Sequence, residues 1–300
     1  DGVVSLPLLP ADGGVLPTWT AGAHIDLPLP GFFVRQYSLC GDPSDTTSYR
    51  VGVLREVASR GGSTAVHDTL VDGFPITVSW PRNNFRFTEA DNYLFIAGGI
   101  GITPILTMVR GAERRGKNWK LIYGGRTRSS MAFLSELEQY GDRVQIVPQD
   151  EVGHPDLKGL LTEVPESTLI YCCGPEGLLQ AVEASSAHWP KNSLRLERFA
   201  PKVVERDYDD EPFEVEFADS DTTVTVGAEE SILDAAARAG LSVISSCKEG
   251  TCGTCETPVV AGAVDHRDSI LTADEQEAND TMMICVSRAA RGCGKIVLQA

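Results

Sequence analysis

No run of about 18 apolar residues, the length that a membrane-spanning helix requires, occurs in this sequence. The first ten residues also lack the basic and then apolar stretches that form a secretion signal. Together these absences predict a cytoplasmic protein without a membrane partner. Asp1 stands where an initiator Met is expected, so we expect a short N-terminal piece to precede it.

Basic side chains are also scarce, since 26 Lys and Arg stand against 42 Asp and Glu and give a formal net charge of −16. Binding to nucleic acid depends on a basic surface that neutralises phosphates, so the composition argues against a DNA or RNA partner. Residues 212–300 are especially acidic, with 15 acidic and 6 basic side chains. This acidic surface either steers the C-terminal part toward a basic protein or is an ordinary solvated surface.

The apolar pattern changes along the 300 residues and predicts a multidomain protein of β and α/β type. Alternating apolar residues in 1–90 predict an antiparallel β-barrel. Apolar runs alternate with helical stretches in 91–200, which predicts a parallel sheet of βαβ units. A charged linker is expected over 201–211, followed by a small domain of strands and one Ser231-capped helix over 212–300. Helices in the parallel-sheet domain are predicted over 131–140 and 177–187.

Four cysteines have the C-x4-C-x2-C spacing, followed by a distant cysteine, that is typical of plant-type [2Fe–2S] sites. They are Cys247, Cys252, Cys255 and Cys285. Four thiolates can hold two iron ions, and Gly250 and Gly253 allow the loop to curl so that its N–H groups approach the sulfurs. A zinc site is the alternative, but such sites usually have a second C-x2-C pair, which this sequence lacks.

The remaining chemistry-bearing side chains carry no comparable spacing. Cys40, Cys172 and Cys293 are interpreted as small buried apolar residues. The clustering of the other cysteines, without a secretion signal, favours metal or redox chemistry in a reducing compartment. The histidines are interpreted as structural or surface residues, and they are His24, His67, His154, His188 and His266.

Two glycine-containing turns each leave a predicted strand and enter a predicted helix. The first runs from Gly98 to Pro104, with Thr103 as the expected N-cap and Pro104 as the first helical residue. The second lies over 173–175. Such turns offer N–H donors to a pyrophosphate, and two of them in one parallel sheet border a nucleotide-binding crevice. The first turn does not match G-x-G-x-x-G, so an ordinary tight turn is the alternative.

A further motif, Arg35-Gln-Tyr-Ser38, lies in the barrel segment, and the small-residue run 59–64 follows it. The order of motifs, from this string through the GGIGITP and CGP turns to the cysteine loop, resembles the phthalate dioxygenase reductase family. This family belongs to the ferredoxin–NADP reductase superfamily, and the chain is most similar to its vanillate demethylase reductase-like members. The resemblance covers nearly the whole chain. It implies a flavin-binding barrel, a nucleotide-binding domain and a C-terminal β-grasp ferredoxin domain.

The resemblance also implies which residues hold the flavin, which would be FMN, with FAD as the less favoured alternative. Arg35 would contact the flavin phosphate, Tyr37 would pack on the ring, and Ser38 would lie near the ring atom N5, where hydride arrives. Gln36 completes this motif. The implied site further contains Val53, Leu54, Arg55, Gly61, Gly62 and Ser63.

For the nicotinamide nucleotide, the resemblance implies contacts from both glycine turns and a shielding aromatic ring. These residues are Gly99, Gly101, Thr103, Pro104, Cys173, Gly174, Pro175 and Phe199. NADH-using relatives often carry an acidic residue where this chain has Arg126 and Arg128, followed by two serines. We expect NADH, and NADPH stays open because Arg126 is suited to bind a 2′-phosphate.

The implied function is that of a reductase component, with Tyr37, Ser38 and Cys173 as its catalytic residues. Electrons would pass from the nucleotide through the flavin to the cluster and then to a terminal oxygenase of the Rieske type. Two alternatives remain from the sequence alone. One is a non-catalytic iron–sulfur and flavin redox sensor, and the other is a zinc-stabilised scaffold.

Overall fold

The computed structural model describes residues 2–29, 33–56, 61–202 and 207–300. The chain forms two compact units, Asp1–Glu197 and Arg198–Ala300. The predicted boundary at residue 90, within the first unit, stays a prediction. Within the described ranges, no helix combines the length and the apolarity needed to cross a bilayer.

The first unit begins with antiparallel strands that pair in two sets, β1 with β4 and β2 with β3. These strands are β1 (Val3–Leu8), β2 (His24–Leu29), β3 (Phe33–Ser38) and β4 (Tyr49–Leu54), and helix α1 (Gly62–Thr69) follows them. A bridge between Leu39 and Val51 joins the two sets. The inward-facing Ile25, Leu27 and Val51 are fully buried, and each contributes roughly 1.5–3 kcal/mol to folding. The predicted antiparallel fold of this segment is confirmed.

A parallel sheet with the strand order β7-β6-β5-β8-β9 forms the rest of this unit. Its strands are β5 (Asn92–Gly98), β6 (Asn118–Gly125), β7 (Val144–Pro148), β8 (Thr168–Cys173) and β9 (Leu194–Glu197). Its helices are α2 (Ile102–Arg114), α3 (Leu134–Leu137), α4 (Gln149–Val152), α5 (Leu157–Leu160) and α6 (Glu176–Ser185). The chain reverses direction across the sheet between β5 and β8, and this switch point is where ligands usually bind in such sheets.

The helix predicted over 131–140 is confirmed only from Leu134 onward, and it is not a continuous α-helix. Only α3 is α-helical there, and short 3-10 helices occupy Arg128–Ser130 and Glu138–Arg143. The cause is backbone with positive φ on both sides, because Phe133 has φ 60° and Gly141 has φ 53°. The first of the 3-10 turns is capped by the Thr127 side chain, which accepts from the backbone N–H of Ser130.

The second unit contains a five-stranded sheet with the order β11-β10-β16-β12-β14 and a two-stranded pair of β13 with β15. Its strands are β10 (Phe213–Phe217), β11 (Thr222–Val226), β12 (Glu256–Ala261), β13 (Val264–Asp265), β14 (Thr281–Met283), β15 (Arg288–Ala289) and β16 (Lys295–Leu298). Its helices are α7 (Ile232–Arg238) and α8 (Ala273–Ala278). The Ser231 hydroxyl accepts from the N–H of Asp234, as the capping pattern predicted. This arrangement is the expected β-grasp ferredoxin fold.

Candidate functional site

The two glycine turns lie against each other at the switch point of the parallel sheet. A Cβ atom on Gly101 would lie 2.3 Å from the Cys173 carbonyl oxygen, and one on Gly174 would lie 3.0 Å from Gly98 Cα. Only glycine therefore allows this approach. Gly99 has φ 53° and open space above it, so the surface of the first turn is accessible to a ligand.

Helix α2 begins at Ile102, with Gly101 as its N-cap, so the prediction that Thr103 is the N-cap is wrong. Thr103 is buried inside the first turn, and its hydroxyl donates to the Ile100 carbonyl over 3.0 Å. Among the described residues, no side chain caps this end of α2. The helix N-terminus thus keeps its positive end and its N–H donors for an anion, which fits the pyrophosphate of a dinucleotide.

Three side chains from distant parts of the unit meet beside this crevice. The Ser38 hydroxyl, at the end of β3, lies 3.4 Å from Glu197 Oε2, at the end of β9. The Cys173 sulfur, at the end of β8, lies 3.9 Å from the same oxygen. Strand β3 carries the motif expected to bind the flavin, and we call it the flavin strand. Its end and the edge of the nucleotide crevice therefore meet at these three polar side chains, which we call the Ser38–Cys173–Glu197 cluster.

Burial in the Ser38–Cys173–Glu197 cluster favours the uncharged forms of its own carboxyl and thiol groups. Desolvation raises the pKa of Glu197 to about 8, against the opposing effect of hydrogen bonds with Ser38 and Cys173. Burial, followed by the nearby Glu197 charge, also raises the pKa of the Cys173 thiol. The cluster is thus neutral near pH 7, and it can hold a neutral ring without bringing a competing charge to it.

Glu197 is the residue that sequence reasoning missed. It stands in the stretch where only Phe199 was given a role, and a single Glu at a strand end has no motif around it. The expected residues Ser38 and Cys173 do come together in the structure, which fits their predicted roles. Phe199 lies in the second unit and is 48% exposed, so its shielding of the nucleotide stays a prediction.

The barrel forms a cradle for an anion next to β3. Gly61 has φ 97° and precedes α1, which has no side-chain cap among the described residues. A Cβ atom on Gly62 would lie 2.8 Å from Arg35 Cγ, so the arm of Arg35 passes directly over the first residue of α1. A guanidinium above a helix N-terminus suits a phosphate, and these residues fit the phosphate of a flavin mononucleotide.

Other expected flavin residues have partners within the protein. The Gln36 amide donates to Asp26 Oδ1 over 3.1 Å. Arg55 forms two hydrogen bonds with the Asp68 carboxylate, of 2.8 and 2.9 Å. Ser63 Oγ accepts from a backbone N–H over 3.1 Å. These contacts hold α1 and the neighbouring strands in place, and a direct flavin contact by these residues stays a prediction.

The two apolar residues expected beside the flavin differ in burial. The Val53 side chain is buried in the barrel core, and its carbonyl lies 3.0 Å from His67 Nε2, which gives that histidine the expected structural role. Leu54 is partly exposed. Burial raises the pKa of Tyr37 to about 12, so its hydroxyl is neutral and suited to packing on a ring. Ser59 and Arg60, from the small-residue run, lie outside the described residues.

The two arginines that could influence the choice of nucleotide both follow β6, but they differ in their contacts. Arg128 forms hydrogen bonds of 3.1 and 2.8 Å with the Glu151 carboxylate. Arg126 is exposed, and the described part of the chain supplies no ion-pair partner for its guanidinium. Of these two cations, Arg126 is the one available to a ligand at the carboxyl end of the sheet.

The second unit brings the thiols of the cysteine loop together with that of the distant Cys285. Cys247 contacts both Cys252 and Cys285, and Cys255 contacts Cys285. Hydrogen bonding between these thiols lowers the pKa of Cys247 and raises the pKa values of Cys252 and Cys285. Cys252, Cys255 and Cys285 are buried, whereas Cys247 is partly exposed. The set of four cysteines therefore reaches the surface at Cys247.

Glycines and backbone amides support this group as expected. Gly250 has φ 69°, and a Cβ atom on it would lie 2.7 Å from a Val286 methyl group. The N–H of Glu249 donates to the Cys247 sulfur, and the N–H of Thr254 donates to the Cys252 sulfur. Within the described residues, no three ligand side chains surround a single metal ion. Pairwise thiol contacts fit a binuclear cluster, in which each iron takes two cysteines.

The three other cysteines lie apart from this group. Cys40 and Cys172 are buried, which agrees with their interpretation as small apolar residues. Cys293 is only partly buried, and its sulfur donates to the Lys295 carbonyl over 3.2 Å. The interpretation of Cys293 as a buried apolar residue is therefore wrong in part.

Comparison with known families identifies two of the regions. Residues 95–184 match the oxidoreductase NAD-binding domain, and residues 215–290 match the 2Fe-2S iron-sulfur cluster binding domain. The chain is 44% identical over 281 residues to the phenoxybenzoate dioxygenase subunit beta of Ectopseudomonas oleovorans, covering 93% of this chain and 87% of the relative. It is 40% identical over 300 residues to a vanillate O-demethylase oxidoreductase of a Pseudomonas species, covering 97% and 94%.

Two solved structures carry the same fold across this chain. An intact type IV self-sufficient cytochrome P450 monooxygenase gives a TM-score of 0.94 at 42% identity, over 100% of this chain and 39% of that protein. The chain thus spans about two fifths of that larger protein. Phthalate dioxygenase reductase gives a TM-score of 0.71 at 33% identity, over 100% and 94%. The chain belongs to the phthalate dioxygenase reductase family of the ferredoxin–NADP reductase superfamily, and it is an NAD(P)H-dependent iron–sulfur flavoprotein oxidoreductase.

Proposed function

We propose that this chain takes hydride from NADH, carries the electrons through FMN to a [2Fe–2S] cluster and delivers them to a terminal oxygenase. The observation that carries this proposal is the contact between Ser38 and Glu197, because it brings the flavin strand to the edge of the nucleotide crevice. Several relatives are named as reductase subunits of oxygenase systems, among them those for toluene-4-sulfonate and phthalate. This supports the same role here.

A bound flavin would supply the chemistry that the chain lacks, since it accepts two electrons and one proton as hydride and releases the electrons singly. The residues around it bind and orient. Arg35 and the N-terminus of α1 hold the phosphate, Tyr37 packs on the ring, and Ser38 presents its hydroxyl to the ring edge. Cys173 and Glu197 keep that edge neutral and bring the nucleotide turns close to it.

The proposed cluster ligands are the four converging cysteines. Cys247 with Cys252 and Cys255 with Cys285 are contacting pairs, which suits one pair on each iron. A zinc site usually has a second C-x2-C pair, which this sequence lacks. Thiolate ligation of this kind also favours a reducing compartment, so we propose the cytoplasm as the location.

Two classes of oxygenase are candidates for the electron acceptor. A Rieske-type enzyme is the first, because dioxygenase and demethylase reductases are among the relatives. A haem monooxygenase is the second, because the chain is so similar to part of a self-sufficient cytochrome P450. In both cases we expect the acidic ferredoxin unit to dock through its cluster end, around residues 248–254. Turnover with the true acceptor should then slow as salt rises, whereas reduction of a small dye should not.

Chemical analysis followed by anaerobic reduction tests the proposal. We expect the purified chain to contain FMN, iron and sulfide, and NADH to bleach the flavin rapidly on mixing. A chain that binds flavin and cluster but is reduced only over hours would instead support the redox-sensor alternative. A colourless protein containing zinc would support the scaffold alternative.

A further inference from the structure

Glu136, on the short helix α3, binds two arginines that come from different parts of the first unit. Arg50, on strand β4 beside the flavin strand, donates to both carboxylate oxygens of Glu136, over 2.8 and 3.0 Å. Arg110, on the nucleotide helix α2, donates to one of the same oxygens. Burial raises the pKa of Glu136, but the hydrogen bonds and charges of the two arginines outweigh it, so the pKa is lowered and the group is a carboxylate.

Both arginines also bind the backbone just beyond Ser38. Arg50 donates to the Cys40 carbonyl over 2.8 Å, and Arg110 donates to the carbonyls of Cys40 and Gly41, each over 2.9 Å. Cys40 is two residues from Ser38, so the end of the flavin strand is tied directly to the nucleotide helix. Arg50, Arg110, Glu136 and the Cys40 carbonyl together form what we call the Glu136 clamp.

The Phe133 ring extends the Glu136 clamp to the first glycine turn. The Phe133 ring lies 5.2 Å below the Arg50 guanidinium, and Phe133 has φ 60°, a backbone conformation that a bulky residue rarely adopts. A Cβ atom on Gly52 would lie 3.0 Å from both the Phe133 ring and the Thr103 methyl group. Because Gly52 has no side chain, Phe133 and the first glycine turn can pack against β4.

We propose that the Glu136 clamp fixes the distance between the flavin strand and the nucleotide turns, and that Arg110 is a positioning residue for hydride transfer. The inference rests on the proposed function and deepens it. Hydride transfer is sensitive to small displacements of donor and acceptor, and contacts that hold two binding elements together supply part of that precision. The clamp acts through the backbone at Cys40, two residues beyond Ser38.

A second arginine on α2 offers a matched control. Arg114, one turn beyond Arg110, also joins the nucleotide helix to the barrel, through the Asp42 carboxylate at 3.0 Å. Its side chain is 48% exposed, whereas that of Arg110 is 18% exposed. Arg114 binds no backbone of the flavin strand in the described part of the chain. Loss of Arg114 therefore removes a similar ion pair without releasing Cys40.

The test compares Arg110→Ala with Arg114→Ala in the FMN- and cluster-loaded protein by stopped-flow mixing with saturating NADH. For Arg110→Ala we expect flavin reduction to slow about tenfold or more, with FMN content and the dissociation constant for NADH changed less than about twofold. Arg114→Ala should reduce flavin at the wild-type rate. If the wild type itself is not reduced, the proposed function fails. If the wild type is reduced and Arg110→Ala matches it, the clamp proposal alone fails.

Two further measurements separate positioning from simple stabilisation. Amide hydrogen exchange without nucleotide should accelerate over 38–41 in Arg110→Ala and stay unchanged in Arg114→Ala. Added guanidinium ion should restore part of the reduction rate of Arg110→Ala. A variant with a lower melting temperature but unchanged exchange and reduction rate would overturn the proposal. Should Arg110→Ala fail to fold, Glu136→Gln tests the same contact, since it keeps the side-chain shape and loses the charge.

Discussion

Ser38 and Glu197 lie 159 positions apart in the sequence, yet the serine hydroxyl is 3.4 Å from the glutamate carboxyl. This contact joins the end of the flavin strand to the last strand of the nucleotide sheet. Because Cys173 reaches the same oxygen, two predicted catalytic residues meet at a third that the sequence did not reveal. Hydride transfer needs both ligands within contact distance, and this cluster marks where their binding regions meet.

Glu197→Gln should change how stability depends on pH. The pKa of Glu197 is raised to about 8 from its ordinary value of 4.5, so the folded chain favours the protonated form. Its contribution to stability is complete below pH 4.5 and is lost as the pH rises through 8. The melting temperature of the wild type should therefore fall relative to that of Glu197→Gln across this range, by several degrees.

Differential scanning fluorimetry of both proteins at intervals between pH 4.5 and 9 makes this comparison. Glu163→Gln is a suitable control, since this glutamate is exposed and lies before β8, whereas Cys173 lies at the far end of that strand. If the melting temperatures of the wild type and Glu197→Gln change in parallel over the whole pH range, Glu197 is not held protonated in the folded chain.

Gly101→Ala should impair nucleotide binding more than flavin binding. The added methyl group would lie 2.3 Å from the Cys173 carbonyl, so the two turns would have to separate. We expect the KM for NADH to rise about tenfold or more, which corresponds to a loss of about 1.4 kcal/mol in binding. Gly177→Ala, where a methyl group meets nothing within 4 Å, should leave the KM unchanged. Equal KM values for the two variants would contradict the crevice assignment.

The sequence predicted the parts of the site whose chemistry is local. A glycine turn after a buried strand and a C-x4-C-x2-C loop are local patterns, so the turn at the end of β5 and the cysteine loop could be predicted from spacing, whereas the role of Gly101 came from the family resemblance. The capping pattern at Ser231 was equally local and is confirmed. At the first turn, however, the helix begins at Ile102, and the Thr103 hydroxyl donates to the Ile100 carbonyl from inside the first helical turn.

Contacts that join distant segments could not be predicted in this way. Nothing near Glu197 in the sequence indicates that Ser38 lies beside it, and its raised pKa arises only from burial in the assembled fold. The helix expected over 131–140 forms only from Leu134 onward, for a related reason. The local pattern favours a helix, but packing of Phe133 against Gly52 comes with a left-handed backbone that interrupts it.

Arg126→Ala should show which nucleotide the chain prefers. A 2′-phosphate would bind the exposed Arg126, whereas Arg128 is held by Glu151. If NADPH is used, Arg126→Ala should lower the kcat/KM for NADPH about tenfold, since a charged hydrogen bond contributes roughly 1.5–3 kcal/mol. The kcat/KM for NADH should stay unchanged. Arg128→Ala should affect both nucleotides alike. An equal loss for both in Arg126→Ala would exclude selective binding of the 2′-phosphate.

Cys252→Ser should separate hydride uptake from electron delivery. The Cys252 thiol belongs to the converging group in the second unit, and the nucleotide crevice lies in the first. We expect NADH-dependent reduction of ferricyanide to persist while reduction of cytochrome c falls to background. Cys293→Ser, at a thiol outside the group, should retain both activities. Cytochrome c reduction at the wild-type rate in Cys252→Ser would show that electrons leave elsewhere.

The central claim is that electrons from the nucleotide reach the thiol-bound cluster through the flavin, and anaerobic electron paramagnetic resonance tests it most directly. The FMN- and cluster-loaded chain is mixed with excess NADH, frozen at successive times and compared with a sample from which FMN has been removed. We expect the signal of a reduced [2Fe–2S] cluster to appear as flavin absorbance falls, and the FMN-free sample to stay silent. A fully bleached flavin without any cluster signal, or a cluster signal in the FMN-free sample, would contradict it.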